Sequence, residues 1–162
     1  HDDQSPCWRP PIEAGHQPPT GGLVSTIFTR IINGEIPGRI VWRDDTCVAM
    51  VDVRPLNRGH VLVIPLVEVD HWTDLPVKTA AHCTMVAHAI GRAQMVAFSP
   101  TRIGLMIAGF EVPHTHLHVV PIDHMGHLDF TGADPDAAPS DLDAVADALR
   151  GALRADGQDS VA

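Results

Sequence analysis

Three histidines alternate with other residues in His114-Thr115-His116-Leu117-His118, and two apolar residues, Val119 and Val120, follow. In an extended strand successive side chains point to opposite faces. His114, His116 and His118 then share one face, while Thr115, Leu117 and Val119 take the other. Adjacent histidines lie about 7 Å apart along such a strand, close enough to act on one substrate. One face packs, and the histidine face is free for chemistry.

Two chemistries suit this row. A neutral imidazole is a competent nucleophile near neutral pH, so one ring could attack phosphorus while its neighbours and backbone donors hold the phosphoryl oxygens and protonate the leaving group. Alternatively, His116 and His118 could ligate a metal, with His60 or Glu111 as a third ligand. A structural row would instead need a partner for every ring nitrogen. The chain has 11 histidines, so some clustering could be accidental. Spacing alone leaves these readings open.

The bulk of the chain narrows the substrate. With 20 acidic against 11 basic residues and a net charge of -9, it has no Lys/Arg cluster that could track a long nucleic acid. A small phosphorylated ligand remains compatible, because local donors can outweigh a repulsive global field within one cleft. The 3 cysteines, Cys7, Cys47 and Cys83, are odd in number and widely spaced, which argues for a reducing compartment. No apolar run is long enough to span a bilayer, and the opening segment lacks a secretory apolar region. A cytoplasmic protein without membrane attachment is expected.

The elements that must position the histidines can be read in order. Residues 1–22, with five prolines and Gly21-Gly22, predict a flexible tail. Ile27, Phe28, Ile31 and Ile32 recur at helical spacing before Asn33-Gly34. Arg39 to Asp44 and Thr46 to Asp52 form a hairpin around Asp44-Asp45, and His60 to Ile64 reads as a central strand closed by Pro65. Thr79, Cys83, Val86, Ile90, Ala93 and Ala97 make the stripe of a long helix over about 77–97. Thr101 to Ala108 returns to an extended pattern, and His114 to Val120 is the last strand, stopping at Pro121. An acidic linker then leads to a helix carrying Leu142, Val145, Leu149 and Leu153, capped by Ser140 or Asp141. The expectation is α+β: one antiparallel sheet of about five strands under a long helix.

These residues resemble the histidine-triad family of nucleotide hydrolases and transferases, whose motif is His-x-His-x-His followed by two apolar residues. The resemblance extends to Thr26–Pro37 and to Asp52–Pro65, and covers roughly Ser25 to Pro121. It implies a catalytic domain over 23–125, with 126–162 as acidic linker and C-terminal helix. It also implies His116 as the nucleophile that forms a nucleotidyl-histidine, His118 as phosphate contact and leaving-group aid, and His114 and His60 as supports of the row. Asp52 matches the ribose-binding carboxylate, with Phe28, Ile31 and Val53 lining the base pocket. The implied reaction is hydrolysis of a nucleoside phosphoramidate or dinucleoside polyphosphate, with a purine nucleotide as substrate or product, in a homodimer. A non-catalytic nucleotide-binding module and a metal-dependent hydrolase are the alternatives.

The chain departs from the family pattern in three places. The CxxC pair that some relatives use for structural zinc is here Thr26 and Thr29, so neither metal nor cofactor is expected. Before the triad, Phe110 and Glu111 replace two polar residues, one a hydroxyl near the leaving group. Gly59 and Gly109 read as turn residues that bring backbone N–H groups toward phosphate. Beyond Pro121, His124, His127 and the last helix match no family motif, and leaving-group specificity is placed there.

Overall fold

The computed structural model describes residues 24–162. The tail expected over residues 1–22 lies outside them. The elements run α1 (Ile27–Ile32), β1 (Ile40–Arg43), β2 (Cys47–Val51), β3 (Val61–Pro65), α2 (Val77–Phe98), β4 (Arg102–Ile107), β5 (Leu117–Ile122) and α3 (Pro139–Ala155). Short 3-10 turns lie at Trp72–Asp74, Met125–Leu128 and Phe130–Gly132. The strands form one 5-stranded antiparallel sheet in the order β1-β2-β3-β5-β4. The chain therefore has the expected α+β architecture.

The unbroken apolar run of β3 follows from its central place. Val61 and Val63 face α2 and α3, whereas Leu62 and Ile64 face the opposite side with Phe28 and Ile32 of α1. Full burial of such side chains contributes about 1.5–3 kcal/mol each, which no strand with one wet face could gain along its whole length. The helix stripe lands as spaced: Cys83, Val86, Ile90 and Ala93 are buried, while Thr79 and Ala97 at its ends are half-buried. Ser99 ends α2 in the left-handed region at φ 51°, its N–H bonding the Met95 carbonyl.

Three boundaries differ from those expected from the sequence. The last strand begins at Leu117 rather than His114, because Thr115 sends its N–H and hydroxyl to the Val69 carbonyl in the loop after β3. It also continues through Pro121. There β3 has already ended, so the missing N–H breaks no ladder bond, and the Pro121 carbonyl accepts from Asn57 Nδ2. The final helix starts at Pro139 with Ala138 as an N-cap that makes no side-chain bond, so neither Ser140 nor Asp141 caps it. Proline suits that first position because its absent N–H has no helical partner anyway. Asp141 instead pairs with Arg58 at 2.9 Å.

Leu142, Val145, Leu149 and Leu153 pack with α2, β1, β2, β3 and β5 in one hydrophobic cluster. No helix among the described residues is long and apolar enough to cross a membrane.

Candidate active site

Beyond the main core, the opposite face of the sheet gathers the four histidines. His118 stands on β5 between cross-strand partners Leu62 and Met106. His116 and His114 lie in the lead-in to β5, and His60 sits one residue ahead of β3. The His116 and His118 rings meet edge to face at 4.8 Å between centroids. Phe28 of α1 packs on His116 at 5.0 Å, and Phe130 packs on His118 at 5.0 Å. All four histidines are at most 5% exposed, so this face is covered rather than free. The cover comes from aromatic residues on α1 and the segment after β5, which strand alternation cannot reveal.

Backbone hydrogen bonds set the tautomer of each neutral ring. His116 Nδ1 lies 2.7 Å from the His114 carbonyl, which can only accept; Nδ1 therefore carries the proton and Nε2 keeps its lone pair. The Leu56 N–H donates to His60 Nδ1 at 3.1 Å, so His60 Nε2–H donates to His118 Nδ1 at 3.0 Å. His118 is left with its proton on Nε2. His114 Nε2–H donates to the Pro65 carbonyl at 2.8 Å, and its Nδ1 accepts from the Thr26 hydroxyl at 3.0 Å. The result is a nucleophilic nitrogen on His116 beside an N–H donor on His118.

Burial is the main cause that keeps these rings neutral. It pushes His60 down to about 3, with the neighbouring His118 and His116 adding to the effect, and His118 down to about 4, with His116 adding. Burial also lowers His116 and His114, against the opposing pull of their bonds to backbone carbonyls. The 3.5 Å contact between His60 Nδ1 and Asp52 is therefore not an ion pair at neutral pH. Burial raises the Asp52 carboxyl, and repulsion from Glu111 adds to it.

Depressed histidines have a definite linkage. Below their unfolded value of about 6.5 the unfolded chain binds protons that the folded chain refuses, so stability is complete above that pH and falls toward 4 and below. Each group can contribute a slope of up to about 1.4 kcal/mol per pH unit. Urea unfolding midpoints are expected to fall steadily from pH 6.5 to 4.5, a window above most carboxylate titrations. A flat profile across that window contradicts the buried neutral row.

A cleft of about 180 Å³ opens against His116 and His118, lined also by Ala108, Gly109, Phe110, Glu111 and Phe130. Gly109 and Glu111 thus line the cleft with His116 and His118, Gly109 at φ 84° with nothing within 4 Å of an added Cβ. Gly59, at φ 92°, has the Phe98 ring 2.6 Å from an added Cβ; both its conformation and its surroundings require glycine. Ile31 packs with Phe28, Met50 and Leu62, whereas Val53 is 61% exposed. Asp52 closes β2 beside His60, its N–H on the His60 carbonyl at 3.0 Å.

His60 stands with His118 on one side of His116, and His114 alone stands on the other, because the turn before β3 reaches β5 at His118.

Two further residues escaped sequence reasoning. Phe130 lies in a segment with no periodicity to flag it. Gln94 is fully buried and its Nε2 donates to the Gly59 and Val119 carbonyls, both at 2.9 Å. A glutamine one turn after Ile90 on the apolar stripe was the available signal.

Residues 33–125 match the model of the HIT domain. An uncharacterized HIT-like protein of Methanocaldococcus jannaschii is 31% identical over 102 residues, 59% of this chain and 77% of that protein. An adenylylsulfatase of Arabidopsis thaliana is 30% identical over 100 residues, 59% of this chain and 51% of that protein. A zinc-bound histidine triad family protein from Mycobacterium smegmatis superposes with TM-score 0.71 at 29% identity, covering 82% of this chain and 96% of that one. An α+β sheet carrying a buried histidine row defines a histidine-triad domain. The chain belongs to the HIT family, and membership supports an activity of the nucleotide hydrolase or transferase kind.

The zinc in that relative raises the question of a metal here. Thr26 and Thr29 meet Glu68 and His114: the Thr29 hydroxyl donates to Glu68, the Thr26 N–H reaches Glu68 at 3.2 Å, and the Thr26 hydroxyl fills the His114 Nδ1 lone pair. Two of the four donors are neutral hydroxyls, and zinc prefers thiolate, imidazole and carboxylate. These residues do not fit a structural zinc ion; they join α1 to the triad by hydrogen bonds. Asp52, His60 and His118 could also surround an ion, but both His60 nitrogens and His118 Nδ1 already have protein partners.

Proposed function

We propose that this chain hydrolyses a nucleoside phosphoramidate or a dinucleoside polyphosphate through a nucleotidyl-histidine intermediate, releasing a nucleoside monophosphate. The observation that carries the reading is the bond from His116 Nδ1 to the His114 carbonyl, which leaves Nε2 unprotonated at the cleft. In this reading His116 Nε2 attacks phosphorus and displaces the leaving group, and His118 Nε2–H supports the phosphoryl oxygens and the departing atom. His60 fixes the His118 tautomer, and His114 holds His116. Water then cleaves the phosphorus–nitrogen bond to His116, so one displacement becomes two in-line transfers. Phe28, Ile31 and Val53 take a purine base, Asp52 the ribose, and the turn at Gly109 the phosphate. The adenylylsulfatase relative, named for cleavage next to an adenylyl group, supports this class.

The test is a panel of adenosine and guanosine phosphoramidates and dinucleoside polyphosphates at neutral pH. Turnover of at least one class with nucleoside monophosphate as product is expected, in chelator as well as without it. Binding of nucleoside monophosphate by calorimetry with no turnover would leave the non-catalytic module, which the replacement of polar residues by Phe110 and Glu111 favours. The enzyme is further proposed to be a cytoplasmic homodimer. Strand β4 is an open sheet edge, and Gly91 and Met95 of α2 form an apolar groove with Ile103 and Leu105 of β4. Light scattering of the assayed preparation should give twice the chain mass.

A further inference from the structure

We infer that Asp44, Cys47, His82 and Cys83 form a zinc site that ties the β1–β2 hairpin to α2, on the side of the sheet away from the histidine row. Asp44 follows β1, Cys47 is the first residue of β2, and His82 and Cys83 lie near the start of α2. The ligand atoms of Asp44, Cys47 and His82 lie within 4.8 Å of one another. The Cys83 thiol lies against that of Cys47. Two sulfurs, an imidazole nitrogen and a carboxylate oxygen are the donors zinc prefers. Around a tetrahedral ion with bonds of about 2.0–2.3 Å, such donors stand about 3.3–3.8 Å apart, so small side-chain rotations close the set.

The turn alone does not account for this convergence. Asp44 Oδ1 accepts the N–H groups of Thr46 and Cys47 at 2.8 and 2.9 Å, which is all that an aspartate turn requires. Its Oδ2 serves something else: Trp42 Nε1 donates to it at 2.8 Å, and His82 Nε2 meets it at 2.7 Å. The Trp42 bond is the kind of outer contact that orients a metal-bound carboxylate. Core packing does not account for it either. Cys47 and Cys83 are fully buried, and buried thiols often pack as small hydrophobes, but these two stand beside a carboxylate and an imidazole.

The ring nitrogens of His60 are held by Leu56 and His118, whereas the group on His82 Nε2 is itself a ligand. On binding, the two thiols release their protons, the His82 proton moves to Nδ1, and His82 Nε2 and Asp44 Oδ2 turn their lone pairs to the ion. The side chains of His82 and Asp44 are 30% and 16% exposed, so the ion enters from their side while the thiolates stay dry. Four protein donors leave no open position, which makes the site structural.

The test uses the full chain with Cys7→Ser, so that Cys47 and Cys83 supply every thiolate. Protein from zinc-supplemented culture, after desalting, should carry one zinc per chain by elemental analysis. It should still carry it in His116→Ala/His118→Ala. Cobalt in place of zinc should give the intense visible bands of a tetrahedral ion and a thiolate charge-transfer band in the near ultraviolet. In competition with a chromogenic chelator, His82→Ala and Asp44→Asn should weaken zinc binding by more than about 100-fold, and Trp42→Phe by about 10–100-fold. Asp44→Asn keeps an oxygen for Thr46 and Cys47, and His82 is half-buried, so both variants should fold. Zinc should raise the urea midpoint of the parent chain and not that of His82→Ala. A folded parent chain that retains no zinc would overturn the inference. So would zinc held equally well by His82→Ala and Asp44→Asn, or a cobalt spectrum without the thiolate band.

Discussion

His116→Ala is expected to abolish the nucleotidyl-enzyme adduct and to lower turnover by on the order of 10⁴–10⁶-fold, the scale on which loss of a nucleophile acts. In the described structure His116 is the ring at the cleft with its Nδ1 proton committed to a backbone carbonyl, so its Nε2 lone pair is available. His118 and His60 cannot substitute. His60 uses both nitrogens internally, and His118 Nδ1 is occupied by His60. His114 Nε2 is directed to the Pro65 carbonyl, away from the role. Nucleotide binding should survive, because Phe28, Ile31, Val53 and Asp52 are untouched.

His118→Ala should slow turnover by about 10²–10⁴-fold, typical of general acid–base assistance, yet still permit trapped intermediate. Intact-protein mass spectrometry after rapid, non-acidic quench reads the adduct, since a phosphorus–histidine bond is acid-labile. An adduct that persists in correctly folded His116→Ala removes the assignment.

Leu149→Ala should cost about 2–5 kcal/mol of stability, the range for a buried leucine whose cavity cannot collapse. Leu149 is 0% exposed and packs in the cluster that also holds Trp42, Cys83 and Val119. Its surroundings come from two helices and four strands, so few neighbours are free to move into the space. Urea unfolding of a variant that keeps Trp42 as its single tryptophan, followed by fluorescence and by circular dichroism, should show one transition shifted to lower urea by both probes. A separate early transition that leaves Trp42 unmoved would mean that α3 unfolds independently of the sheet.

Much of the frame is legible because its determinants are local. The period of Cys83, Val86, Ile90 and Ala93 sets which side of α2 is buried against the sheet, since these positions recur with the 3.6-residue turn. The run Val61–Ile64 announces a strand covered on both faces, and the Asp44-Asp45 turn follows from an aspartate that accepts the N–H of Thr46 and Cys47. Ends were less legible. Ser140 and Asp141 read as caps, but Pro139 already satisfies the geometry of the first turn. Pro121 reads as a stop, yet it lies where its missing N–H faces no partner strand.

The site divides in the same way. Alternation brought His114, His116 and His118 to one side of the chain, and the matching of three sequence blocks placed the chain among histidine-triad proteins. Those are properties of neighbours in sequence. Only tertiary structure joined His60 to His118 across 58 residues and covered the row with Phe28 and Phe130. The tautomers were decided there as well. Which ring nitrogen is bare depends on whether a carbonyl or an N–H happens to face it, and those groups come from Leu56, Pro65 and the His114 backbone once the chain has folded. Residue type supplies two nitrogens of equal standing; long-range packing makes one of them a donor and the other a nucleophile.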